Sequence, residues 1–300
     1  MAQDNRPVGT RSDWVMNLIL RGLIGAIKVL PYAPRVRTMG ALTRKVIAPL
    51  AGYRRRATEN IALIYPEMPL RDVARLADRV ADNVGRTLIE TYSSEGLRKR
   101  AAASTVSGPG LQALERAKTK GQPVLLVTGH FGNHEAPRYA LTQMGFEIGG
   151  LYRPMANVFF NAHYEKTMAD VSGPVFAQGR KGTGQFVKFL RSGGAAVLLF
   201  DIYAKGAELP FMGQYAYTSL SAAELALKYN AVVIPFFGVR QPDGLSFDIQ
   251  LDAPIAHSTP EAMLTQMNAA LEKRITANPE QWFWFHNRWK ANRRGKPAGR

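Results

Sequence analysis

The hydrophobic period changes along the chain. Trp14 to Leu30 (WVMNLILRGLIGAIKVL) is strongly apolar, broken by Asn17, Arg21 and Lys28. Residues 36–50 and 54–65 have the spacing of short amphipathic helices, ending at YPEMP, and 70–92 carries apolar residues at helical intervals with charges between. From residue 123 the pattern switches to short β-rich runs: PVLLVT, EIGGLY, PVFA, AAVLLF and AVVIPFFGV. Most segments between them read as helices. This alternation predicts an α/β fold with a largely parallel central sheet flanked by helices. LSFDIQL, after the PDG turn, predicts an edge hairpin strand. Near the end, NPEQWFWFHNRWKANRR predicts a helix, with Asn278 as N-cap, Pro279 at its first position and Gln281 completing a capping box.

Charge adds a second layer. The net charge is +16, with 11 Lys/Arg against 3 Asp/Glu in residues 1–60 and 8 against 1 in residues 273–300. The stretch between is nearly neutral, so the two ends carry the excess and an anionic surface is their expected partner. Nucleic acid and anionic lipid both satisfy the charge, but the apolar segment at 14–30 favours lipid. That segment is short for a span of about 20 residues, and its Arg21 and Lys28 fall on one side of a helix. It reads as a membrane-interface helix, with a buried N-terminal core helix as the alternative. Arg35, Arg37, Arg44, Lys45 and Arg54–Arg56 form a polybasic flank. The expected organisation is a membrane-associated helical arm over 1–60, a catalytic domain over 61–292 and a disordered basic tail over 293–300. An apolar fraction of 46% supports a packed core. The absence of cysteine excludes disulfides, a Cys-ligated zinc site and a thiol nucleophile.

The chemistry concentrates in VLLVTGHFGNHEAPRYAL, Val124 to Leu141. In a parallel sheet, sites gather beyond the carboxyl ends of strands. His130 stands there, with Gly129 and Gly132 allowing a tight turn, and Glu135 follows in the expected first turn of the next helix. Three readings fit. Glu135 could fix the His130 tautomer and leave Nε2 as a general base. His130, His134 and Glu135 could ligate a metal, although the order is not HExxH. All three could be ordinary helix-start polar residues. No GxSxG elbow, Walker loop or GxGxxG follows a strand. Asp201 lies at another strand end, as a supporting acid or a turn residue.

These residues carry a resemblance. GHFGNHE resembles the HxxxxE signature of glycerolipid-type acyltransferases, and the whole chain resembles the late acyltransferases of lipid A biosynthesis. LYRP with Asn157, the Arg180–Lys181 pair, Asp201 after AAVLLF, the block from ELPFMGQYAYT through AVVIPFF, and PEQWFWFHNRWK follow in that family's order. The resemblance implies transfer of a fatty acyl chain from an acyl carrier protein thioester to a lipid hydroxyl, without a cofactor or metal. The acceptor it implies is an anionic phosphorylated glycolipid, the Kdo-bearing lipid A precursor; another lipid acceptor, such as an aminolipid or mannosylated lipid, is the alternative. The location implied is the cytoplasmic face of a bacterial inner membrane, anchored near residues 14–30, with no nucleic acid partner. His130 and Glu135 would be catalytic. Arg153, Arg180 and the backbone at Gly132 and Asn133 would serve the oxyanion or substrate, with Asp201 and Thr218 in support. A His-ligated metal hydrolase and a non-catalytic lipid- or nucleic-acid-binding module are the competing classes.

Overall fold

The computed structural model describes residues 9–289. Four helices come first: α1 (Arg11–Lys28), α2 (Tyr32–Leu42), a short α3 (Ala48–Leu50) and α4 (Tyr53–Ile64), with a π-helical turn at Thr43–Ile47 joining α2 to α3. The long α5 (Leu70–Thr91) and α6 (Ser94–Ala102) follow, then β1 (Thr105–Ser107), α7 (Pro109–Thr119) and β2 (Val124–Thr128). The alternating region continues through α8 (Ala136–Gln143), β3 (Ile148–Tyr152), α9 (Val158–Ser172), β4 (Val175–Ala177), α10 (Arg180–Arg191) and β5 (Ala195–Leu199). A hairpin of β6 (Ala207–Phe211) and β7 (Gln214–Thr218) precedes α11 (Ser221–Tyr229), β8 (Val232–Arg240), β9 (Phe247–Leu251) and α12 (Pro260–Ala277).

The seven-stranded sheet has the order β1-β9-β8-β2-β5-β3-β4. From β8 to β4 the neighbours run parallel; β9 is antiparallel to β8, and β1 runs parallel to β9. The expected α/β class with a mostly parallel, helix-flanked sheet is therefore observed. β9 does form the hairpin after the PDG turn, but it is not the edge, because the three-residue β1 covers its outer side. A strand that short leaves almost no periodicity to read.

Helices cover both faces of the sheet. β2 is buried throughout, as a central parallel strand must be. Its Leu125 and Val127 face one core, with α5, α11, α12 and the tryptophans, while Val124 and Leu126 face the other, with α6, α7 and α8. In α1, a capping box between Thr10 and Asp13 starts the helix. Its inner face packs Ile24 and Ile27 with Val36, Met39, Ile89, Tyr92 and Phe160. Its outer face leaves Trp14 and Ile19 51% and 58% exposed, and Leu50 after the π turn is 84% exposed. Among the described residues, no helix is long and apolar enough to cross a membrane. Ala57 and Ile61 of α4 sit in the main core.

Over its described residues, 278–289, the expected C-terminal helix does not form. One 3-10 turn, Pro279–Gln281, ends at once in extended backbone at Trp282. The competing interaction is burial: Trp282, Trp284, Phe285 and Trp289 are at most 1% exposed, whereas a helix would turn Trp284 away from the face shared by the other three. Trp282 also bridges to Phe131, beside the histidine loop. The tail at 293–300 lies outside the described residues. Trp284 packs edge-on against Trp282 at 4.8 Å and donates its indole N–H to the Pro279 carbonyl at 2.7 Å. Trp284→Ala is expected to cost about 3–5 kcal/mol, read as a lower urea midpoint with an unchanged slope.

Candidate active site

β2 and β5 pair in parallel with Thr128 opposite Leu199. His130 and Asp201 each lie two residues past that pair, so the register itself brings them together. The His130 backbone N–H donates to Asp201 Oδ2 at 2.8 Å, and Nδ1 lies 2.8 Å from Oδ1. The Trp282 indole N–H donates to Oδ2 at 2.9 Å. Burial pushes the Asp201 carboxyl up, but the charge and hydrogen bonds of His130 outweigh it and hold the group well below the usual carboxylate range. An ionised acceptor at Nδ1 requires the proton there, which leaves the Nε2 lone pair free. Nε2 has no hydrogen-bond partner among the described residues.

This corrects the sequence expectation. Asp201, rather than Glu135, accepts from the His130 imidazole. Glu135 stands at the N-cap position of α8, just before the helix, and pairs with buried Arg138 at 2.6 Å. Its other oxygen is 3.8 Å from His134 Nε2. Burial pushes the His134 ring down to about 4, with Glu135 opposing, so His134 is neutral near pH 7. Among the described residues, no three His, Asp or Glu side chains form a metal-ligand set, so the reading of His130, His134 and Glu135 as ligands has no geometry to support it.

The loop is braced from behind. Gly132 N–H donates to the Gln281 carbonyl at 2.9 Å and Asn133 N–H to the Gly238 carbonyl at 3.0 Å. Neither is open to receive an oxyanion, a second correction. The Asn133 carbonyl oxygen of the side chain instead caps the start of α8, accepting from Glu135 and Ala136 N–H. Its amide donates to Glu90 at 2.8 Å, and Glu90 holds Arg240 through both carboxylate oxygens at 2.6 and 2.7 Å. Gly132 has φ +55°, and a Cβ there would lie 2.0 Å from the Gly238 carbonyl oxygen. A Cβ on Gly238 would meet the Asn133 carbonyl oxygen at 2.3 Å. The two backbones touch because neither residue has a side chain.

The histidine faces a cleft of about 500 Å³. Its polar end holds His130, His134, Glu135, Arg138 and His286; Leu151, Met155, Met168, Val197 and Leu199 supply apolar wall. Arg153 stands at the exposed rim of this cleft. Arg180 is exposed at the start of α10 and does not line it. Thr218 is buried elsewhere, accepting from Arg288 at 2.7 Å. Arg288 also donates to the carbonyls of Ile202 and Tyr217, tying the segment after Asp201 to the hairpin. Sequence reasoning missed His286 and Arg138 as cleft residues. His286 had a signal in WFWFHN, a lone polar ring among aromatics, which the helix reading concealed.

A family model described as bacterial lipid A biosynthesis acyltransferase matches residues 6–291. The chain belongs to this family. The lipid A biosynthesis lauroyltransferase of Escherichia coli K12 is 26% identical over 290 residues, 92% of each chain. A lipid A biosynthesis acyltransferase of Haemophilus influenzae is 25% identical over 242 residues, covering 77% of this chain and 74% of its own. Lipid A biosynthesis acyltransferase 2 of Shigella flexneri is 24% identical over 281 residues, covering 88% and 86%. The lipid A acyltransferase family thus accounts for nearly the whole chain, and the protein is an acyltransferase of lipid A biosynthesis.

The Asp201 carboxyl has its pKa depressed on folding. It therefore contributes stability that is full above the unfolded value, about 3.9, and is lost as pH falls through the folded one. Asp201→Asn removes that contribution. The stability difference between wild type and this variant should shrink as pH falls below about 4, as measured by urea unfolding at each pH.

Proposed function

We propose that the protein transfers a fatty acyl chain from an acyl carrier protein thioester to a hydroxyl of a Kdo-bearing lipid A precursor, at the cytoplasmic face of the inner membrane. The observation that carries this reading is His130, fixed through Nδ1 by buried Asp201, with its other nitrogen unpartnered in a cleft that has an apolar wall. Nε2 takes the proton of the acceptor hydroxyl as its oxygen attacks the thioester carbonyl. Asp201 stabilises the imidazolium that forms. The tetrahedral intermediate collapses, the carbon–sulfur bond breaks, and the departing sulfur takes the proton back from Nε2. The products are an ester and the free carrier thiol, with no cofactor. Glu135 and Arg138 order the cleft wall beside His134, and Arg153 at the rim suits an acceptor phosphate.

The electrostatics support the same reading. The ends of the chain carry the excess positive charge, while the carrier, the acceptor and the leaflet are all anionic. α1, whose outer face leaves Trp14 and Ile19 exposed, packs against the start of α9, where the Asn157 amide donates to the Asp13 carbonyl at 2.7 Å. α9 contributes Tyr164 and Met168 to the cleft, so a lipid surface under α1 lies next to the acyl site.

His130→Ala should lower acyl transfer from a carrier-bound long-chain thioester by at least about 10²–10⁴-fold, the range of general base catalysis. Full activity in that variant would refute the mechanism. For the membrane face, Trp14→Glu with Ile19→Glu should abolish co-flotation with vesicles containing anionic phospholipid while leaving the folded state intact by circular dichroism. Unchanged flotation would place the lipid contact elsewhere.

A further inference from the structure

Attack on a thioester turns its carbonyl oxygen into an oxyanion, which requires a hydrogen-bond donor close to the base. The backbone N–H groups of Gly132 and Asn133 are already bonded to carbonyls. Arg180 is outside the cleft, and Arg153 is at its exposed rim. Arg138 is inside, with Nη1 on Glu135 and with Nε and Nη2 buried without a partner, but its guanidinium is held against Gly150 of β3 rather than beside the His130 ring. His134 has its ring centroid 5.7 Å from that of His130 and approaches Glu135.

His286 is different. Its ring centroid is 4.7 Å from that of His130, edge to face, in the same cleft. Neither ring nitrogen has a hydrogen-bond partner among the described residues, and Nε2 is completely buried without one. Its backbone, by contrast, is tightly held. The Asn60 side-chain amide donates to the carbonyls of Trp284 and His286 at 2.7 and 2.8 Å, and Arg56 donates to Phe285 at 3.2 Å. A rigidly mounted ring with unanswered polar atoms, next to the base, is an arrangement retained for a ligand rather than for stability.

We infer that His286 is a second catalytic residue, whose imidazole donates the N–H hydrogen bond received by the thioester carbonyl oxygen as it becomes an oxyanion. This rests on the reading of His130 as the base. The two rings have environments suited to opposite tasks. His130 has the Asp201 carboxylate at Nδ1. His286 has no carboxylate hydrogen bond among the described residues: burial first, then the charges of His130, Arg288 and Arg56, push it down to about 4, against the pull of Asp201. It stays neutral near pH 7 and carries one N–H, so it donates without competing for the hydroxyl proton that His130 takes. Breaking the carbon–sulfur bond restores the carbonyl, and the donor returns to its starting state without having transferred a proton.

The test compares His286→Ala, His286→Asn and His286→Gln by steady-state acyl transfer from a carrier-bound long-chain thioester. His286→Ala should lower kcat by about 10²–10³-fold, as for loss of one oxyanion donor, with KM for the donor changed by less than about threefold. At least one amide variant should recover about tenfold of the loss, because an amide N–H can replace an imidazole N–H. In wild type, the His286 imidazole nitrogen resonance should shift when an unreactive amide analogue of the acyl-pantetheine thioester binds. A merely structural ring would instead move KM and the urea midpoint, without rescue by amides. Wild-type turnover in His286→Ala, or amide variants no better than alanine, would overturn this inference alone. A wild-type protein that transfers no acyl chain from the carrier would overturn the proposed function, and this inference with it.

Discussion

The site depends on the pairing of two neighbouring parallel strands. With Thr128 set against Leu199, the chain leaves β2 and β5 side by side, and the second residue beyond each is the imidazole or its carboxylate. One buried aspartate then accepts from the His130 backbone, the His130 ring and the Trp282 indole. An uncompensated buried carboxylate would be prohibitively unfavourable; three donors make it tolerable and leave its charge directed at the ring. A slip of one residue between these strands would separate the pair and turn every side chain of the slipped strand to the wrong face.

Behind the loop, a second polar assembly does what packing cannot. Arg240 on β8, Glu90 on α5 and Asn133 in the loop form one buried chain of charge-assisted hydrogen bonds, and Gln281 closes it against both the Arg240 backbone and Gly132. Buried ion pairs contribute little net stability relative to apolar substitutes, but losing one partner leaves a costly orphan charge. The pair is better understood as setting where the loop sits. Hydrophobic contacts alone would allow it small displacements, whereas directional bonds at 2.6–2.8 Å do not.

Much of this was legible beforehand, and the exceptions have physical causes. The β-rich runs from residue 123 onward carry strong local signals, and the structure places strands on all of them. His130 was legible because a glycine-flanked polar residue after a buried strand is an unusual local pattern. Its carboxylate partner was misassigned because sequence proximity favoured Glu135, five residues on, while strand adjacency, which brings Asp201 from 71 residues away, leaves no local trace. The same holds for the supposed oxyanion amides. Glycine at the turn suggested open N–H groups, but carbonyls from β8 and from the segment before Trp282 occupy them. The capping sequence at Asn278 was a real signal for a turn. Four large aromatic side chains needing burial then overrode the helix that it began.

The contact between Gly132 and Gly238 has a consequence for how this protein can vary. The histidine loop and β8, distant in the chain, lie within a methyl group's width of each other: the Gly238 carbonyl fills the volume a side chain at 132 would need, and the Asn133 carbonyl the volume one at 238 would need. During evolutionary drift neither position can gain a side chain while the facing backbone stays where it is. A larger residue at either site first requires the backbone opposite it to retreat, carrying the histidine loop along. Across descendants of this sequence both sites should therefore change seldom, marking a place where sequence space is narrow for geometric reasons before any chemical demand is imposed.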